Sequence, residues 1–424
     1  MAPTQALTPT VLPTFTPLPW GQIPQARSGG VPIPTPFPLL AGQDLDGPDP
    51  VVNVLLIGSD QRGSGAFRTD TLIIASIRTR SRVVSLISIP RDLYVYVPGR
   101  LMQRINTAYL YGQLDRYPGR GPGLLRDTIL YNLGIRIDYL AMVDFSGFRR
   151  IVDRLGGIDL PMACPYTDWR LIDPSVSDQL PSNWHLYPIG PGVVHMNGEL
   201  ALWYARSRLR STDFDRGRRQ QEVLRAIFDK ALQFDIVPML PQLYEEFGAT
   251  VTTDMSLSDL MGFAPLALNL KDASIRSYYI HSRLVKSWRT PEGASVQLPK
   301  GEKIKNMLLE ALSPPDGAEI IHLQTVVEVV NASGQPDMER LAAERLHYAG
   351  FATRFGERLP RQPKTRVFDL TAAQDPNRSA SLLTIFGLPQ SRLQPAVEPE
   401  TEVAYRLVIG SDFDPCFNPI QLVH

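Results

Sequence analysis

The sequence predicts an α/β protein, a mixed central sheet flanked by helices and followed by a second, smaller α/β domain. Three observations carry the prediction. Strand-like and helix-like stretches alternate from Val51 onward. The alternation comes in two runs separated by SPPDGAE, which reads as a linker. The chain has 424 residues, too many for one typical domain and suited to two or three.

Residues 1–50 hold twelve prolines, and VLPTFTPLPW and VPIPTPFPLL read as extended proline-rich linker. Order is expected from Val51. There VVNVLLIGSD is an apolar strand that ends in a Gly-Ser-Asp loop; TLIIASI and VVSLISI are the next two strands, joined by the turn RTRSR. Helices follow around 104–112 and 123–133. DYLAMVDF is another strand, and SGFRRIVDRLGG a helix stopped by glycines. A long irregular stretch is expected through Asp168, Pro181 and Pro191. HMNGELALWYA begins a helix or tight turn. DRGRRQQEVLRAIFDKAL is an amphipathic helix with Val223, Leu224, Ile227, Phe228 and Leu232 on its apolar side. A helix over roughly 237–247 comes next, then one that Ser256 caps, then strand and loop to about 298. KIKNMLLEAL closes a domain spanning 51–312. The second domain, 320–412, runs strand (LQTVVEVVNASG), helix (DMERLAAERLHYAGF), strand (TRVFDL), helix (RSASLLTIFG) and last strand (EVAYRLVIG).

The 43 basic and 43 acidic residues cancel. That balance argues against a general nucleic-acid binder, which carries a basic excess. Cys164 and Cys416 form neither a metal-ligand cluster nor a disulfide framework; they either pair or remain free thiols. No signal peptide and no run of 18 apolar residues is visible, so no membrane span is expected within these residues.

Against this neutral background, residues 204–224, YARSRLRSTDFDRGRRQQEVL, hold six arginines and no lysine. Arginine's planar fork suits bidentate binding of carboxylate or phosphate. If RSRLR is extended, Arg206, Arg208 and Arg210 share a face. With Asp215 as N-cap, Arg216, Arg219 and Gln220 project from the first turns of the following helix, whose N-terminus favours anions. Arg210 and Arg218 read as solvated surface. The bland alternative is an arginine-rich surface helix partly neutralised by Asp213, Asp215 and Glu222.

The first three strands bring acids to the same place. If strand 71–77 is antiparallel to both neighbours, one sheet edge presents Asp60, Asp70, Arg91 and Asp92. Paired carboxylates beside the loop GSDQRGSG suit a hard divalent cation such as Mg2+; equally, Asp60 and Asp70 are turn formers and Asp92 a partner of Arg91. GSGAF lacks the nucleotide-binding fingerprints. His195 is an acid–base candidate or a turn residue. Tyr94, Tyr96, Tyr109 and Tyr111 line a sugar subsite or are half-buried, and Met196 and Trp203 are core.

The segments NVLLIGSD, FRTDTLIIASI, SLISIPRDLYVYVPG, RINTAY, MVDFSGFRRIVDRLGGIDL, GVVHMNGELALWYARSR and DFDRGRRQQEVL occur in an order that resembles the LytR–CpsA–Psr family of cell-envelope proteins. Residues from about 320 resemble the small C-terminal domain of some members. The resemblance implies a three-layer core and transfer of a glycopolymer from a polyprenyl-pyrophosphate carrier to peptidoglycan, with the isoprenoid tail in an apolar tunnel between sheet and helices. It implies Mg2+ on Asp60 and Asp70. It implies pyrophosphate binding by Arg91, Asn106, Arg206, Arg208, Arg216, Arg219 and Gln220, with Arg91, Asp92, Arg206 and Arg208 taking part in catalysis and Asp92 as general-base candidate. The partners implied are the lipid-linked glycan, the peptidoglycan acceptor and, through the lipid, the membrane surface, on the extracytoplasmic side. The family usually carries an N-terminal transmembrane helix, which these residues do not show. Two rival readings are a polyprenyl-pyrophosphate hydrolase and a non-catalytic binder of polyprenyl lipid.

Overall fold

A computed structural model describes residues 35–43, 47–59, 69–173, 175–233, 238–248, 250–270, 274–371, 375–398 and 401–416. The first three strands are β1 (Val51–Ser59), β2 (Thr69–Arg78) and β3 (Val83–Ser88). They are followed by the ribbon β4 (Tyr94–Tyr96) and β5 (Met102–Arg104) and by helices α1 (Ala108–Leu114) and α2 (Arg120–Leu133). Then come β6 (Tyr139–Asp144), α3 (Phe145–Arg154) and four short strands: β7 (Ile158–Met162), β8 (Tyr166–Leu171), β9 (Trp184–Ile189) and β10 (Gly192–Met196). The first part ends with α4 (Gly198–Arg206), α5 (Asp213–Gln233), α6 (Leu240–Phe247), β11 (Val251–Thr253), α7 (Leu257–Asn269), β12 (Ile275–Tyr279), β13 (Val285–Arg289), β14 (Ser295–Pro299) and α8 (Gly301–Leu312).

The central sheet has the order β11-β6-β1-β2-β3-β12 and is mixed. β2 is antiparallel to β1 and β3, whereas β6 runs parallel to β1 and β12 parallel to β3. The carboxyl ends of β1, β3, β6 and β12 therefore share one edge with the amino end of β2, as the hairpin reasoning expects.

Period-two alternation splits the apolar side chains between two faces. Leu55, Ile57, Leu72, Ile74 and Ile87 face α1, α2 and α8 in a fully buried core. Val54, Ile73, Ala75, Val84 and Leu86 face α5 and α7. Three layers result. A strap before β1 belongs to the same unit. Leu40 N–H donates to Gly134 O (2.9 Å), and buried Gln43 donates to Gly134 O (2.8 Å) while accepting from Arg136 N–H. Order thus begins before Val51.

Residues 158–196, expected to be irregular, form two antiparallel ribbons, β7 with β10 and β8 with β9. Ile158, Leu160, Met162, Ile189 and Met196 anchor them on α3, α4 and α5, with Trp203 packed alongside.

The second part opens with α9 (Gly317–Gln324), capped reciprocally by Asp316 and Glu319, so the expected linker is already helical at Gly317. It continues with β15 (Val326–Asn331), α10 (Met338–Tyr348), β16 (Ala352–Phe355), β17 (Arg366–Asp369), α11 (Pro376–Phe386), β18 (Leu393–Pro395) and β19 (Tyr405–Ile409). Its sheet order is β16-β15-β19-β17-β18, and α10 and α11 share its core. Cys164, after β7, is disulfide-bonded to Cys416, 252 residues away, and this joins the two parts.

Candidate active site

Helix α5 delivers the arginines to the sheet edge. It runs along β3 and β12, and its contacts recur every four residues. Gly217 lies over Ser88, and Gln221 donates to Ser88 Oγ (2.8 Å), Leu86 O (3.2 Å) and Tyr278 O (3.1 Å). Arg225 donates to Ile275 O (2.9 Å). Buried Gln221 thus ties the helix to two strands and brings its first turn to the end of β3, where Arg91 and Asp92 follow.

The helix starts earlier than Asp215. Thr212 is its cap, and Asp215 closes the reciprocal box: Asp215 N–H donates to Thr212 Oγ1 (3.1 Å), while Thr212 N–H and hydroxyl donate to Asp215 Oδ2 (3.0 and 2.7 Å). Nor is RSRLR an extended run. Arg206 is the last residue of α4, and the chain turns through 207–212. Arg206, Arg208 and Arg210 therefore do not share a strand face.

What converges is a compact array of alternating charge. Arg91 Nη1 lies 2.7 Å from Asp70 Oδ1. Arg216, 8% exposed, lies 3.0 Å from Asp213 Oδ1, and Arg208 approaches the same oxygen at 3.6 Å. Burial and the facing Arg91 lower the pKa of Arg216, against the pull of Asp213, Asp70 and Asp92. Asp92 is shifted the other way, up from its usual value, chiefly by burial and then by Asp213, although Arg91 and a hydrogen bond with Gln297 oppose this. Its Oδ1 is buried without a hydrogen-bond partner among the described residues. Asn106 belongs here too. Its N–H donates to Arg91 O (3.2 Å), and its buried Oδ1 likewise lacks a partner among the described residues. Arg206 has its guanidinium 3.8 Å over the ring of Phe145, the first residue of α3.

Two expected ligands are occupied elsewhere. Arg219, 1% exposed, donates to Tyr204 O (2.9 Å), Ser207 O and Ser211 Oγ (3.2 Å), and its guanidinium lies 4.4 Å over the Tyr166 ring. It holds the 207–212 connection in place instead of facing an anion. Gln220 donates to Ala205 O (3.3 Å) in the last turn of α4. Asp60 lies outside the described residues.

Asp213, expected only to neutralise part of a surface helix, is the carboxylate that pairs with Arg216 and Arg208 here; its i,i+3 spacing to Arg216 in a first turn is a readable pairing signal. His195 is not at this edge; it pairs across β7 and β10 with Asp159 (2.8 Å). Tyr96 and Tyr109 are core residues, Tyr94 packs against Trp288 (ring centroids 5.7 Å apart), and Arg100 lies over Tyr111.

The layer behind the site is unevenly filled. On the α1/α2/α8 face most of the apolar side chains are buried, with Phe214, Tyr278 and Leu284 among those partly buried at its margin. On the α5/α7 face Val52, Leu56, Ile77, Leu224, Phe228, Leu260 and Phe263 are only partly buried, and Ala264 is the one buried residue of α7 among the described side chains. Two helices thus leave the apolar layer under α5 and α7 only partly covered.

Comparison with known proteins decides the affiliation. The profile of the LytR_cpsA_psr family matches residues 42–311. The chain belongs to the LytR–CpsA–Psr family. A second profile, described as LytR cell envelope-related transcriptional attenuator, matches residues 324–413. The chain is 30% identical over 211 residues to the polyisoprenyl-teichoic acid–peptidoglycan teichoic acid transferase TagU of Oceanobacillus iheyensis, covering 49% of this chain and 60% of that protein. It is 31% identical over 208 residues to the regulatory protein MsrR of Staphylococcus aureus, covering 49% and 57%. The chain thus spans roughly three fifths of the length of these curated relatives. The crystal structure of protein gbs0355 from Streptococcus agalactiae shares the fold, with a TM-score of 0.50, 20% identity, and coverage of 63% of this chain and 89% of that one.

Proposed function

We propose that this member of the LytR–CpsA–Psr family transfers a glycopolymer from a polyprenyl-pyrophosphate carrier to peptidoglycan. The observation that carries the proposal is the guanidinium array at the sheet edge, Arg91, Arg208 and Arg216 held by Asp70 and Asp213. The array suits a pyrophosphate, and the partly covered apolar layer under α5 and α7 suits an isoprenoid tail. The similarity to TagU, a polyisoprenyl-teichoic acid–peptidoglycan teichoic acid transferase, supports the same donor and acceptor classes.

In this mechanism an acceptor hydroxyl of peptidoglycan attacks the sugar-proximal phosphorus. A new P–O bond forms to the acceptor, the P–O bond to the bridging oxygen breaks, and polyprenyl phosphate leaves. The arginines hold the phosphate oxygens and meet the charge that develops on them. Asp213 keeps Arg208 and Arg216 aligned. Asp92 accepts the hydroxyl proton; its raised pKa makes it the stronger base. Asp70, with only one oxygen taken by Arg91, would hold Mg2+ together with Asp60, and the ion would neutralise phosphate charge. The donor set suits that ion in kind: carboxylate oxygens are hard donors, and Mg2+ commonly takes one or two carboxylates plus substrate phosphates.

Placement at the extracytoplasmic face of the membrane fits this substrate, and the Cys164–Cys416 disulfide fits an oxidising compartment. No helix among the described residues is long and apolar enough to cross a membrane.

The proposal is tested by coupling. Purified protein given lipid-linked donor releases polyprenyl phosphate only when peptidoglycan is present, mole for mole with polymer attached. Equal release without acceptor identifies a hydrolase, and tight lipid binding with no release identifies a binder.

Two variants probe the parts. Asp92→Asn slows transfer by about 10²-fold and raises the melting temperature at neutral pH, on the order of 2 °C. Its sign follows from the raised folded pKa: ionised Asp92 costs stability, a cost absent below the ordinary value of 3.8 and growing as the pH rises through the folded value. The thermal gain therefore disappears in acid. Leu260→Lys, placed in the half-open layer, raises KM about tenfold for a long-chain polyprenyl donor and leaves KM for a short-chain donor unchanged.

A further inference from the structure

The ribbon of β8 and β9 stands out for what it exposes. Trp169 and Leu186 are cross-strand partners in mid-ribbon, and both are exposed. Beyond them the tip carries Ile172 and Leu180, at 59% and 55% exposure. The tip is not loose chain. Ile172 N–H donates to Asn183 O (2.9 Å), Asn183 Nδ2 to Ser177 O (2.8 Å) and Trp184 Nε1 to Asp178 O (3.0 Å). Its polar groups are satisfied inward, and its aliphatic side chains are held outward.

The base of the ribbon is fastened to the arginine-bearing connection. Tyr166 OH lies 3.0 Å from Ser207 Oγ, and Trp203 Nε1 donates to Trp169 O (2.8 Å). That connection adds exposed Leu209 (68%) and exposed Arg210, next to Arg208. Exposed Trp, Leu and Ile along the ribbon, with exposed Leu209 and Arg210 on the connection at its base, are the side-chain kinds of a bilayer interface: aromatic rings at the headgroup level, aliphatic groups below it, guanidinium groups on lipid phosphates. Ile172, Leu180, Leu186 and Leu209 offer a sugar neither a hydrogen bond nor a ring face, so a glycan chain is the poorer match. Asp173 and Asp178 at the tip offset part of the arginine charge, which leaves apolar insertion as the main attraction.

We infer that the β8–β9 ribbon and the 207–212 connection form a membrane-contacting surface that seats the chain on the headgroup layer of a lipid bilayer. The inference rests on the lipid-linked donor proposed above, because a protein that draws its substrate from a bilayer has use for such a seat beside its phosphate site. Its test needs neither donor nor acceptor.

The full chain is mixed with vesicles of phosphatidylglycerol and phosphatidylcholine, and the bound fraction is read by sedimentation. Tryptophan quenching by lipids brominated on the acyl chain is read in parallel. The chain is expected to sediment with the vesicles and to be quenched. Ile172→Asp/Leu180→Asp, two exposed positions outside the transfer site, is expected to lower the bound fraction about tenfold with an unchanged melting temperature. Equal binding by the double variant, or binding without quenching, overturns the inference. So does a variant that loses binding to isolated peptidoglycan or loses self-association while vesicle binding persists. Transfer from detergent-dispersed donor by a chain that ignores vesicles sinks this inference and spares the proposed function; vesicle binding without transfer does the reverse.

Discussion

Arg91→Ala is expected to lower the rate of polymer transfer by about 10²–10³-fold, equivalent to roughly 3–4 kcal/mol of transition-state stabilisation. Its guanidinium does two things at once. It is placed after β3 to meet the proposed phosphate, and it pairs with Asp70 across the edge at 2.7 Å. Removing it takes a cation from the clamp and frees the carboxylate proposed to hold Mg2+. Arg91→Lys keeps the charge but loses the fork, so it should recover no more than about tenfold. Because Arg91 is partly exposed at a sheet edge, the melting temperature of either variant should stay within about 2 °C of the parent. Full transfer by Arg91→Ala would remove it from the site.

Arg219→Ala is expected to act through the fold instead. Its side chain is almost completely buried and satisfies two main-chain carbonyls and a serine hydroxyl in the α4–α5 connection. Truncation leaves these acceptors without their donor and opens a cavity beneath Tyr166. The expected loss is about 3 kcal/mol, seen as a fall of several degrees in melting temperature and as early proteolysis within 207–212. Transfer falls as Arg206 and Arg208 lose their fixed positions. A variant with unchanged melting temperature and a raised KM for donor would return Arg219 to the phosphate clamp. The contrast between the two arginines is thermal: one variant is stable and inactive, the other unstable.

That contrast also marks how far the sequence can be read. The strands β1 to β3 were legible because their apolar runs are long and bounded by turn residues, and a short turn between two of them forces an antiparallel pair. Asp70, Arg91 and Asp92 then fall on one edge by geometry alone. The ribbons β7–β10 were not legible. They are short, Pro161 and Pro188 interrupt them, and their outward positions carry Trp, Leu and Tyr, so polar alternation fails. The arginine stretch raised the expectation of an anion site, but did not show which of its arginines bind main-chain carbonyls instead. Arg219 and Arg216 lie three residues apart on α5, yet one is bound to carbonyls and the other to Asp213. Nothing in spacing separates a guanidinium that binds its own chain from one that awaits a ligand. The helix start did leave a signal: Thr212 and Asp215 stand in capping-box spacing, which a lone Asp215 obscures. The Cys164–Cys416 bond joins residues 252 apart, and only the docking of the two parts brings them together.

The most direct test of the central claim follows one phosphorus atom. A lipid-linked donor labelled with radioactive phosphorus at the sugar-proximal position is incubated with the protein, Mg2+ and peptidoglycan. The account predicts that the label becomes covalently attached to peptidoglycan, in step with unlabelled polyprenyl phosphate leaving, and that Arg91→Ala abolishes both. Label that remains on the lipid while sugar reaches peptidoglycan, or that appears as free sugar phosphate without any acceptor, would contradict it.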